Sequence, residues 1–149
     1  MIGLSRRQVL ARSAGALAVA TFGVQPAQAA NNAQDLIKAF TGGKAATEAK
    51  VKLDLPEIAE NGNTVPMTVM VDSPMTDASH VTDVLVVANE NPRSGVAVFH
   101  FSPASGVAEA NTRIRLAATQ DVIAVAKMND GSVFMASKQV KVTIGGCGG

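Results

Sequence analysis

The stretch DVIAVAKMNDGSVFMASKQVKVTI, residues 121–144, decides the fold. Two apolar, β-branched runs, Asp121 to Met128 and Val133 to Ile144, flank Asn129-Asp130-Gly131. Glycine enters positive φ without a Cβ penalty, and Asn and Asp tolerate the left-handed region. An Asn-Asp-Gly step between apolar runs therefore reads as a β-hairpin turn. Working outward, the same signature recurs upstream. Val65, Met67, Val69 and Val71 share one face of Thr64 to Val71, Val81 to Ala88 is rich in β-branched residues, and Gly95 to Phe101 alternates again. Thr112 to Leu116 adds another strand, and Val51, Leu53 and Leu55 alternate with Lys52 and Asp54. The punctuation between these runs is Asp72-Ser73-Pro74, Asn89-Glu90-Asn91-Pro92, Ser102-Pro103 and Thr119-Gln120. About seven strands at this spacing predict an all-β, antiparallel β-sandwich. The chain has no tryptophan and one cysteine, so the antibody-type disulfide and its packed Trp are both missing; an immunoglobulin-like topology is compatible without them.

Before the strands, Asn32 is placed to cap a short surface helix with Asp35 at its third position. Leu36, Ile37 and Phe40 follow at helical spacing, and Gly42 and Gly43 stop it. Pro56 is expected to open one helical turn ended by Asn61 and Gly62. Earlier still, Ser5-Arg6-Arg7-Gln8-Val9-Leu10 has the form of a twin-arginine export signal. A modestly apolar stretch, Ala14 to Val24, and an Ala27-Gln28-Ala29 cleavage site complete it. The pattern departs from its fullest form at Val9 and Ala11, which leaves general secretion as the alternative route. The expected organisation is a signal peptide over 1–29, a domain over 30–144 and an arm over 145–149.

Removing Arg6, Arg7 and Arg12 leaves ten basic against twelve acidic residues, a balance of −2. That gives no support to nucleic-acid or anionic-membrane binding, which needs clustered Lys and Arg. No apolar run beyond the leader is long enough to span a bilayer.

Candidate chemistry concentrates at Gly145-Gly146-Cys147-Gly148-Gly149. Four glycines give the cysteine a thin segment without a preferred conformation, expected to reach roughly 10 Å past Ile144 at about 3.3–3.6 Å per residue. The nearest basic residue is Lys141, so nothing local draws the thiol below its reference pKa of about 8.5, and activation falls to a partner. This suits a carrier offering sulfur to other enzymes; the plain alternative is a tail that happens to hold a cysteine. His80 and His100 lack the spacing of a metal set, and His100, sharing a face with Val96 and Val98, reads as structural. Arg113 and Arg115 share one strand face opposite Ile114 and Leu116. That pair fits an acidic partner or oxyanion, or simply a solvated face. No nucleophile elbow, phosphate loop or dinucleotide fingerprint appears, so neither enzyme chemistry nor a cofactor is expected in this chain.

Pro66, the run Val71 to Thr76, the stretch Thr112 to Ala117, Asp130-Gly131 and the terminal Gly145 to Gly149 together resemble the SoxY family of bacterial thiosulfate oxidation. The resemblance implies an immunoglobulin-like sandwich, a partner subunit SoxZ, a periplasmic location and sulfur carried on Cys147 by an arm of Gly145, Gly146, Gly148 and Gly149. It also implies transient partners: a SoxXA cytochrome that attaches thiosulfate, a SoxB hydrolase that releases sulfate and a SoxCD sulfane dehydrogenase. Any haem would belong to them. Two rivals remain at this level. One is a cytoplasmic ubiquitin-like carrier using the Gly148-Gly149 carboxylate, disfavoured by the leader and the strand-rich body. The other is a non-catalytic envelope module in which Cys147 forms an intermolecular disulfide.

Overall fold

The central strands are buried on both faces, and the architecture follows from them. In the computed structural model, which describes residues 32–146, the elements are α1 (Ala33–Thr41), β1 (Thr47–Glu48), β2 (Val51–Asp54), β3 (Ile58–Ala59), β4 (Val65–Val71), β5 (Val81–Ala88), β6 (Gly95–His100), β7 (Ala108–Ile114), β8 (Gln120–Met128) and β9 (Val133–Val142). In β8, Val122, Ala124 and Ala126 face the sandwich interior while Ile123 and Val125 face the other way, and β5 divides likewise between Val84 and Val86, and Leu85 and Val87. One sheet runs β1-β9-β8-β5-β6 and the other β2-β4-β7. Helix α1 lies across the outer face of the larger sheet, where Ala33, Leu36, Ile37 and Phe40 cover Leu85, Val87, Ile123, Val125 and Val133. The smaller sheet turns Val65, Met67, Val69 and Val71 inward, each almost wholly buried. Each such side chain contributes about 1.5–3 kcal/mol by leaving water, which fixes the register of β4 against slippage.

The expected all-β, immunoglobulin-like sandwich with a short N-terminal helix is the observed fold, and the 129–131 hairpin joins β8 to β9 as read. Three local expectations change. No helical turn follows Pro56; instead β3 pairs in parallel with the end of β9, Ile58 against Lys141 and Ala59 against Val142. Strand β7 begins at Ala108 rather than Thr112, because β4 pairs with it from Val71–Ala108 through to Val65–Ile114. Asn32 does cap α1, yet without a side-chain hydrogen bond; its carbonyl accepts from the Leu36 amide, and Gly42 (φ 65°) ends the helix as expected. No helix among the described residues is long and apolar enough to cross a membrane.

Candidate functional site

Strand β9 delivers the chain to its glycine-rich end, and that end is fastened on two sides. On one side β3 pairs with it, and the Thr143 amide donates to the Ala59 carbonyl at 3.0 Å while its hydroxyl donates to the Glu60 carbonyl at 3.0 Å. On the other, the Val142 amide donates to Thr119 Oγ1 at 3.0 Å. Beyond Thr143, three segments close a ring of backbone hydrogen bonds. The Gly62 amide donates to the Ile144 carbonyl (2.8 Å), the Leu116 amide to the Gly62 carbonyl (2.8 Å), and the Gly146 amide to the Leu116 carbonyl (2.9 Å).

Glycine is required here for close approach. A Cβ on Gly62 would overlap the Leu116 carbonyl oxygen and stand 2.7 Å from the Gly146 nitrogen; one on Gly145 would overlap the Ala117 carbonyl oxygen. A Cβ on Gly146 would stand 2.9 Å from the Gly62 carbonyl oxygen. Carbon does not approach backbone this closely, so any side chain at Gly62 or Gly145 forces the segments apart. Gly62 and Gly146 are buried, Gly145 exposed. This departs from the expectation that the chain leaves the body directly after Ile144. Gly145 and Gly146 belong to the body's surface layer.

The wall that receives Gly146 is itself braced. The Asn91 side chain donates to the Arg115 carbonyl (2.8 Å) and accepts from the Ala117 amide (2.9 Å) and Gln120 Nε2 (2.9 Å). Buried Gln120 also donates to the Ala118 carbonyl (3.0 Å) and accepts from the Glu90 amide (2.8 Å). Residues 115–118 are thus held by side chains of the 89–91 turn and the start of β8. None of Gly62, Asn91 or Gln120 is a site candidate on sequence grounds: Asn61-Gly62 reads as the end of the helical turn expected after Pro56, and Asn91 and Gln120 as punctuation between strands.

Cys147, Gly148 and Gly149, and the leader with Arg6 and Arg7, lie outside the described residues. Arg113 and Arg115 are exposed opposite buried Ile114 and Leu116, as alternation requires, and they line a shallow cleft with Gly95, Val96 and Phe99. Among the described residues neither has an ion-pair partner; the one ion pair is between His100 Nδ1 and Asp83 Oδ1 at 2.6 Å, with the His100 side chain 77% exposed. Burial pushes the Asp83 carboxyl up, but hydrogen bonds from Thr82 and His100, with the charges of His100 and Lys127, outweigh it and hold the group below its ordinary value. His80 Nδ1 contacts the Thr76 carbonyl at 2.9 Å. Both histidines serve local contacts, and no cluster of three metal-ligating side chains occurs among the described residues.

Residues 37–147 match the family model described as sulfur oxidation protein SoxY. Among solved structures, the chain is similar to the sulfur carrier protein SoxY from Chlorobium limicola f thiosulfatophilum, with 31% identity, 74% of this chain and 96% of that one covered, and a TM-score of 0.61. It is also similar in fold to the superoxide reductase (neelaredoxin) of Ignicoccus hospitalis, with 18% identity, coverage of 63% and 80%, and a TM-score of 0.57. The superoxide reductase of Nanoarchaeum equitans is a third such structure, with 14% identity, coverage of 65% and 100%, and a TM-score of 0.52. At these identities the two reductases show the sandwich alone. No match was found among curated proteins.

Proposed function

The chain belongs to the SoxY family of sulfur oxidation proteins, and on that premise we propose that it carries thiosulfate-derived sulfur covalently on Cys147 and presents it to separate enzymes. The observation that carries this reading is that the family match runs to residue 147 itself, the only cysteine of the chain, set between glycines. The ring at Gly62, Leu116 and Gly146 supports it by bringing the chain, firmly held, to the residue before that cysteine.

The chemistry balances with partners of the classes that the resemblance implies. The Cys147 thiolate forms an S–S bond to the outer sulfur of thiosulfate, and a pair of electrons leaves to a haem-containing oxidase. Water then cleaves the S–SO3 bond in a hydrolase, releasing sulfate and protons and leaving a persulfide. A dehydrogenase oxidises that sulfane sulfur to a sulfonate, with water as the oxygen source and its own acceptor taking the electrons. A second hydrolysis returns the thiolate. In this chain the role of the protein is tethering: a covalent arm raises the local concentration of the intermediate at each partner to about millimolar and keeps reactive sulfur from diffusing away.

The same proposal places the protein in the periplasm, exported through Arg6 and Arg7 and paired with SoxZ. Replacing both arginines by lysine should hold the precursor in the cytoplasm, and normal processing to a chain beginning at Ala30 would point to another route. For the carrier role, Cys147→Ser should abolish thiosulfate-dependent turnover in a reconstituted system. Melting temperature and binding of the partner subunit should barely change, since a hydroxyl cannot form the sulfur–sulfur link. Retained turnover ends the proposal.

A further inference from the structure

Resting on the carrier reading, we infer that Gly62 is a positioning residue for Cys147. The ring that Gly62 closes is a pedestal from which the thiol is presented, and the pedestal extends as far as Gly146. Each of Gly62, Leu116 and the 144–146 segment both donates to and accepts from the ring, so none can leave without stranding polar groups on the other two. Leu116 is fully buried, and its neighbours are braced by Asn91 and Gln120, so the wall is rigid. Strand β9 cannot slide away, because β3 and Thr119 hold it on both sides.

The consequence is a short radius of action. The Cα of Cys147 lies about 3.8 Å from that of Gly146, whatever the backbone angles, and Gly146 is buried. A partner must therefore bring its reacting centre close to the rim formed by exposed Asn61, Asn63, Ala118 and Gly145, and it meets the thiol in a defined place rather than anywhere within reach of a five-residue tether. Gly62 acts on the cysteine through Gly146.

The experiment uses the mature chain with its partner subunit, the conjugating oxidase and thiosulfate. In Gly62→Ala the new methyl group cannot coexist with the docked Gly146. Exchange of the Gly146 amide should accelerate, alkylation of Cys147 by iodoacetamide should stay within about twofold, and KM for the carrier should rise about tenfold with kcat held, as expected when only positioning is lost. A second variant inserts Gly-Gly between Gly146 and Cys147. It leaves the ring intact, moves the thiol by up to roughly 7 Å, and should lower kcat/KM about tenfold without changing the melting temperature. If Gly62→Ala does not fold, the insertion decides alone. Wild-type kcat/KM in the insertion variant, or in a folded Gly62→Ala, overturns the pedestal. A wild-type chain that gains no sulfur adduct defeats the carrier reading itself and the pedestal with it.

Discussion

Strand β9 has glycine just beyond each of its ends, and the two ends use it for opposite reasons. At the start, Gly131 adopts φ 80°, and the hairpin is tied by side chains: Asp130 Oδ1 accepts from the Ser132 amide and hydroxyl, and Asn129 donates to the Ala78 carbonyl and accepts from the His80 amide. At the far end, no positive φ occurs at Gly62, Gly145 or Gly146, and what matters is the missing Cβ, which lets three backbones meet. The first kind of glycine serves a conformation and the second a contact. Conformation is a local property of four residues, whereas contact depends on segments far apart in the chain.

The comparison can be broken most sharply at Gly146 and Gly148. Gly146→Val forces a branched side chain against the Gly62 carbonyl and should cost about 2–3 kcal/mol of stability as well as turnover. Under the carrier proposal, Gly148→Val should leave denaturant midpoints unchanged and lower partner-catalysed turnover about a hundredfold, since a branched side chain there would obstruct entry of the thiol into a partner. Equal stability in both variants would remove the distinction between pedestal and arm. At the hairpin end, Gly131→Ala should cost about 1–2 kcal/mol through its left-handed φ, with Gly131→Asn milder, because Asn tolerates that region. The nearby Lys44 ammonium is the far end of a flexible side chain and can withdraw. Turnover should not respond to either Gly131 variant.

The smallest effect is electrostatic. The Ser132 hydroxyl, then the Ser132 amide, hold the Asp130 carboxyl below its ordinary value of 3.8. A carboxyl depressed on folding contributes stability that is fully present above the unfolded value and is lost as pH falls through the folded one. An NMR titration should therefore show Asp130 ionising below 3.8, and Ser132→Ala should move it back up; an unmoved midpoint would mean the turn is not held by these bonds.

The same contrast explains what could be read from the sequence. Strands with β-branched, alternating or doubly buried faces, such as β4, β5 and β8, were legible because their pattern is their burial. The start of β7 was not, since Ala108, Glu109, Ala110 and Asn111 have little intrinsic strand preference and pair because β4 lies beside them. Strand β3 was missed for a related reason. Pro56 signals a helix start, but a two-residue bridge to β9 decides the outcome, and no period exists in two residues. The hairpin turn was legible from Asn129-Asp130-Gly131 alone. The ring was invisible because Gly62, Leu116 and Gly146 are brought together only by the finished sandwich.

The central claim is that Cys147 bears sulfur, and intact-mass measurement of the mature chain tests it most directly. After incubation with thiosulfate and the conjugating oxidase, the wild-type chain should gain the mass of one thiosulfate, lose it on reduction, and show no gain as Cys147→Ser. A wild-type mass that stays unchanged, or that changes only by forming a reducible dimer, would contradict the account.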